Sequence, residues 1–101
     1  MLINKLNMKV ISFDVGIKNM AYCISSINQD NLEIIKLNKI DLKIHNKATN
    51  QTFIDTTIEF LDNIYHNELN IDNDDCLKVL IECQMTSKMR CIQTTIYSYF
   101  K

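Results

Sequence analysis

Two short apolar runs in this chain of 101 residues each end in a carboxylate. Lys9-Val-Ile-Ser-Phe-Asp14 leads into Val15-Gly16-Ile17-Lys18-Asn19, and Leu77-Lys-Val-Leu-Ile-Glu82 leads into Cys83-Gln84. An acid at the end of a β-rich run, directly before a turn or a helix, stands where an open α/β sheet carries its chemistry, at the carboxyl ends of its strands. Carboxylate oxygens suit a hard divalent ion such as magnesium, which keeps several of its waters. In phosphodiester hydrolysis such ions align the attacking water and stabilise the leaving oxygen. Asp14 and Glu82 are therefore the catalytic and metal-binding candidates, with Mg2+ or Mn2+ as the cofactor.

The elements that must bring these acids together follow from periodicity. Residues 9 to 15 and 20 to 27 are β-branched or aromatic-rich runs. Between them lies Gly16-Ile17-Lys18-Asn19, where the only glycine of the protein is expected to supply a positive φ, making a hairpin. Asn28-Gln29-Asp30-Asn31 favours a tight turn and leads to a third extended run from Leu32 to about Ile44. Within that run Leu32 and Ile34 fall on one register and Ile35 and Leu37 on the other, which predicts a bulge. After His45-Asn-Lys-Ala-Thr49 the period becomes helical. Ile54, Ile58, Leu61 and Tyr65 share a face, with Phe53, Thr57, Phe60 and Ile64 beside them, and Asn50 is the expected N-cap. Asn70-Ile-Asp-Asn-Asp-Asp75 breaks the pattern. Cys76 to Glu82 reads as a strand buried on both faces, and a second helix is expected from about Ser87 to Phe100, with Met89, Ile92, Ile96 and Tyr99 or Phe100 along one stripe.

The order βββαβα predicts one α/β domain over residues 1–101. Crossovers through a helix are right-handed in nearly all cases, so the Cys76 to Glu82 strand should lie parallel to the Lys9 to Asp14 strand, on the side away from the hairpin. Adjacent strands are roughly 4.8 Å apart, and acids at matching ends can share one cation.

A formal net charge of −1 excludes the global basic footprint of many nucleic-acid modules. Any DNA affinity must come from a local patch, for which Lys18, Lys88 and Arg90 are the candidates, as phosphate contacts beside the acids; their plainer reading is that of solvated surface side chains. Cys23, Cys76, Cys83 and Cys91 lack the CxxC spacing of a zinc site, and no signal peptide precedes them. Reduced thiols in an intracellular compartment are expected, with Cys83 and Cys91 as buried small side chains. No apolar stretch approaches the roughly 20 residues needed to cross a bilayer, so a soluble chain without a membrane partner is expected.

The segment Ile11-Ser-Phe-Asp-Val-Gly-Ile-Lys-Asn-Met-Ala-Tyr-Cys-Ile24 resembles the first motif of RuvC-like Holliday junction resolvases of the ribonuclease H superfamily, particularly those of large DNA viruses and fungal mitochondria. Val79-Leu-Ile-Glu-Cys-Gln84, followed by Ile92-Gln93 and Tyr97-Ser-Tyr-Phe100, resembles the second acidic strand of that family and its following helix. The resemblance implies a ribonuclease H-like mixed sheet and a magnesium-dependent endonuclease. Such an enzyme resolves branched DNA in recombination and repair, as a homodimer that nicks symmetrically, in the cytoplasm or a viral factory, a mitochondrion or a nucleus. Asp14 and Glu82 match the first two metal-binding carboxylates. The family completes its site with a further acidic pair on a later helix, after a fifth strand, whereas this sequence stops at Lys101. A truncated, split or degenerate copy lacking the final strand and helix is therefore expected, the alternative being that the missing ligands come from another chain. Because two carboxylates offset less cationic charge than four, it should bind a single Mg2+ or Mn2+ ion weakly and cut little by itself.

Plainer roles stand beside these. A strand-terminal acid also serves as a turn cap, Gly16 reads as a structural requirement of its turn, and the Met85, Met89, Ile92 and Ile96 stripe reads as core or dimer surface. His45 and His66 have no partner at metal-ligand spacing. Asp72, Asp74 and Asp75 lack the glycine and distal glutamate of a calcium loop. Two other classes of function remain open. One is an ATP-binding module of the actin and sugar-kinase type, which shares the strand order and an early Asp-x-Gly motif but whose phosphate loop usually needs more glycine; nucleotide binding without junction binding would favour it. The other is a non-catalytic DNA-binding or dimerisation fragment, whose uncovered sheet edge and face self-association would relieve. No small-molecule cofactor is expected for a nuclease.

Overall fold

Three antiparallel strands, β1 (Asn7–Asp14), β2 (Met20–Asn28) and β3 (Asn31–Ile40), form a meander. A helix, α1 (Asn50–Ile64), continues into one π-helical turn (Tyr65–Leu69) and leads to β4 (Cys76–Ile81) and α2 (Ser87–Phe100). The computed structural model describes residues 7–28, 31–45, 47–71, 76–82 and 86–101. The sheet order is β3-β2-β1-β4, and β4 runs parallel to β1 in the register Met8↔Cys76 to Phe13↔Ile81. This is the mixed α/β architecture that the order βββαβα predicts.

Alternation along the strands sorts their side chains into two faces. Ile11 and Phe13 of β1 and Met20, Tyr22 and Ile24 of β2 are buried with Phe53, Phe60, Leu61 and Ile64 of α1 and Ile92 and Ile96 of α2. Each such side chain contributes on the order of 1.5–3 kcal/mol by leaving water, so the core lies on this one face. Phe13 meets the rings of Tyr22, Phe60 and Phe100 at centroid separations of 6.4, 6.4 and 6.2 Å, and Tyr22 meets Phe60 edge-on at 5.6 Å. The opposite face carries Ser12, Asp14, Cys23, Ser25, Lys78 and Leu80, half-buried or exposed.

The bulge in β3 falls where the apolar alternation changes. Ile24 pairs with Lys36 but Ser25 with Ile34, leaving Ile35 as the extra residue. It keeps Leu32, Ile34 and Leu37 together on the face away from the helices, 66%, 62% and 74% exposed. The third strand ends at Ile40 rather than near Ile44. The carboxylate of Asp41 accepts the amide of Lys43 at 2.7 Å, and Lys43 takes a left-handed φ of 58°, which turns the chain off the sheet and buries Leu42 and Ile44 beneath it.

Three further expectations are corrected. The N-cap of α1 is Thr49, not Asn50: its extended backbone lets Oγ1 accept the amide of Thr52 at 3.3 Å. The buried face of α1 is Phe53, Thr57, Phe60, Leu61 and Ile64, whereas Ile58 and Tyr65 are exposed; two adjacent stripes are apolar, and the sheet selects the one it faces. β4 is not buried on both sides. Leu77, Val79 and Ile81 are half-buried toward the helices, and Cys76, Lys78 and Leu80 are exposed, because the helices cover a single face and β4 lies at the sheet edge among the described strands. The α2 stripe packs as expected, with Ile92 and Ile96 buried and Met89, Tyr99 and Phe100 against the core, while Met85 lies outside the described residues.

Polar contacts clasp the layers. Lys9 donates from Nζ to the carbonyls of Leu69 and Asn70 at 2.8 and 2.6 Å, closing the C-terminus of the π turn as a cation does at a helix C-terminus. Tyr22 donates its hydroxyl to Glu68 at 2.7 Å, and Glu68 pairs with Lys36 at 2.8 Å. Tyr99 donates to Asp62 at 2.6 Å, joining α2 to α1; burial first, and then the neighbouring carboxylate of Asp62, push its pKa up to about 12. Among the described residues no helix is long and apolar enough to cross a membrane, which says nothing of a β-barrel. Cys23, Cys76 and Cys91 are free thiols, Cys91 half-buried; Cys83 lies outside the described residues.

Candidate functional site

Asp14 is the last residue of β1 and Glu82 directly follows β4. The parallel register carries Phe13 opposite Ile81, and its next step places Asp14 opposite Glu82. The amide of Glu82 still donates to the carbonyl of Phe13, at 3.4 Å, so the ladder reaches the acids. Phe13 and Ile81 face the helices, and alternation turns both acids to the open face, where each is exposed. Ser12, Asp14, Cys23 and Leu37 border a shallow cavity of about 330 Å³ on that face. A divalent cation suits this donor set in kind: two carboxylates, solvent-open, on neighbouring strand tips. In number the set stops at two, since the described residues hold no cluster of three or more His, Cys, Asp or Glu fit for a metal. Asp72, Asp74, Asp75 and Gln84 lie outside the described residues.

The sequence expectation that Gly16 supplies a positive φ is corrected, because its φ lies outside that region of the map. Its role is steric. A Cβ built on Gly16 would stand 2.7 Å from the carbonyl oxygen of Asn19, so the turn closes on itself only where the side chain is a hydrogen. The turn is tied in addition to the segment after β3, with the Leu42 amide donating to the Ile17 carbonyl at 2.9 Å.

The three cations are divided. Lys18 is exposed on the turn that follows Asp14, at the same edge of the sheet as both acids. Lys88 and Arg90 lie in the first turns of α2, Lys88 half-buried and Arg90 exposed. Thr86 caps that helix by accepting the amide of Met89 at 3.3 Å. The start of α2 packs beside the turn, since Met89 borders one cavity of about 570 Å³ together with Gly16, Lys18, Asn19, Ile44 and His45. Asn19 and His45 gained no role from the sequence. Their proximity depends on the Leu42–Ile17 tie, which no local pattern announces.

No curated protein matches the chain. Among solved structures, the Aquifex aeolicus PPX-GPPA enzyme matches with a TM-score of 0.46 and 17% identity, over 90% of this chain and 30% of that one. The chain thus spans under a third of that protein's length, and so slight a likeness says nothing of activity. The family model described as poxvirus A22 protein matches residues 8–101, from β1 through α2 and including both strand-terminal acids. The chain belongs to the poxvirus A22 family, a family of Holliday junction resolvases.

Proposed function

We propose that this chain is a metal-dependent endonuclease selective for branched DNA, in which Asp14 and Glu82 hold Mg2+ or Mn2+ at the carboxyl tips of β1 and β4. The observation that carries this reading is the parallel pairing of those strands, which sets the two acids side by side in a chain of resolvase family. Held by Asp14 and Glu82, a divalent ion would supply positive charge for phosphodiester hydrolysis and would activate water as the nucleophile. The protein's own part is positioning. Phe13, wedged among Tyr22, Phe60 and Phe100, fixes the strand so that Asp14 faces outward. Lys18, one turn beyond, contacts a backbone phosphate of the substrate, and Lys88 and Arg90 extend that contact along α2. Symmetric nicking of a four-way junction requires two such sites, so a second copy of the chain belongs to the proposal. In the ribonuclease H-like scheme these acids are the first pair of a larger carboxylate set, and with two donors a single, weakly held ion is expected.

A synthetic four-way junction and its matched linear duplex test the proposal. Wild type should cut the junction slowly and only with Mg2+ or Mn2+, and Asp14→Asn or Glu82→Gln should abolish cutting. Because residues that merely orient a metal ligand are worth about 10–100-fold in affinity, each substitution should also weaken Mn2+ binding by calorimetry at least about tenfold. Metal-dependent cutting that survives both changes would refute the assignment.

A further inference from the structure

We infer that the cavity between the Gly16–Asn19 turn, the Ile44–His45 segment and the start of α2 seats one unstacked nucleotide of branched DNA, with His45 as its stacking and hydrogen-bonding wall. This rests on the proposed nuclease reading and names the part of the substrate that the site would grip.

The cavity holds about 570 Å³, within the range of roughly 300–1,000 Å³ of small-ligand clefts. Its walls are preformed. The Leu42–Ile17 hydrogen bond joins the two loops, and the close approach of Gly16 to the Asn19 carbonyl fixes the turn. Ile17, Ile44 and Met89 supply apolar surface, and Lys18, Asn19 and His45 supply polar groups. A planar base, apolar on its faces and polar at its edges, linked to an anionic phosphate requires matching groups: an apolar flank to stack on, hydrogen-bonding partners beside it and a cation at the rim.

His45 is held in place. Its Nδ1 accepts the amide of Lys47 at 3.1 Å, and its carbonyl accepts the amide of Ala48 at 2.9 Å. With Nδ1 occupied as an acceptor, the neutral ring carries its proton on Nε2 and presents a hydrogen-bond donor there. Asn19 offers both a donor and an acceptor. Position completes the case. Gly16 follows Asp14 by two residues, at most about 7 Å of chain, so a nucleotide in this cavity holds an adjoining phosphate near the acid pair, and Lys18, two residues further along the same turn, borders the cavity itself. Duplex DNA keeps its bases stacked and offers nothing to such a cavity, whereas a branch point holds bases that unstack at lower cost.

The test uses the full chain and four-way junctions carrying 2-aminopurine at successive positions around the branch, bound in EDTA so that nothing is cut. Wild type should brighten the probe at one or two positions and bind the junction more tightly than duplex. His45→Ala should remove the brightening and weaken junction binding about tenfold, leaving duplex binding unchanged and the chain folded by circular dichroism. His45→Phe, which can stack but not donate, should restore most of the junction affinity. Junction-selective binding without brightening, or brightening that persists undiminished in His45→Ala, overturns the nucleotide seat while leaving the nuclease reading intact. Equal binding of junction and duplex by wild type overturns both.

Discussion

Asp14 owes its exposure to its neighbour. Phe13 is held by three aromatic rings on the helix side, and strand geometry then turns the next residue to the opposite face. That much was legible in the sequence, because a β-rich run and its terminal acid reveal the strand end and its alternation together. The use of Gly16 was not legible, since the atom that excludes a side chain there is the Asn19 carbonyl, and only the folded turn brings it to 2.7 Å from the would-be Cβ. Gly16→Ala should therefore destabilise the protein by about 1–3 kcal/mol, as overpacking does, read from urea midpoints. The obstacle is backbone, so Asn19→Gly in the same chain should give no rescue; recovery would show that the side chain of Asn19, not its carbonyl, enforces the glycine.

Among the elements, order and number follow from periodicity, and the bulge follows from the change of register around Ile35. What periodicity leaves open is which of two apolar stripes faces inward. In α1 both candidates were apolar, and contact with Phe13 and Tyr22 selects the stripe containing Phe60. β4 misleads for a related reason: a continuous apolar run predicts cover on both sides, yet its outer residues Lys78 and Leu80 are exposed. Helix entry is decided by a hydroxyl. Thr49→Ala should cost about 1 kcal/mol, the usual worth of an N-cap, whereas Asn50→Ala should stay within about 0.5 kcal/mol of wild type in chemical denaturation. The reverse ranking would return the cap to Asn50.

Among the described residues the molecule is a sheet with both helices on one face. Ile24 is fully buried against the helices, and Leu37, on the neighbouring strand but the other face, is 74% exposed. Ile24→Ala should cost about 2–5 kcal/mol, while Leu37→Lys should change stability by no more than about 0.5 kcal/mol and reduce binding of a hydrophobic dye. A large loss from Leu37→Lys would mean that this face is covered in solution. The architecture was legible at this scale because crossover handedness leaves β4 one place beside β1. That the described helices cover only the other face was not, since Leu32, Ile34 and Leu37 read as ordinary strand residues until both helices are seen opposite them.

The clasp between Lys9 and the carbonyls of Leu69 and Asn70 spans sixty residues of chain. Hairpins β1–β2 and β2–β3 close short loops and can zip early, but β4 must return across the whole length of α1, and such non-local closure comes late and at greater entropic cost. The acid pair is thus brought together by a long-range closure, that of β4 onto β1. Any ion gripping both tips would hold that closure shut and, by mass action, raise the melting temperature.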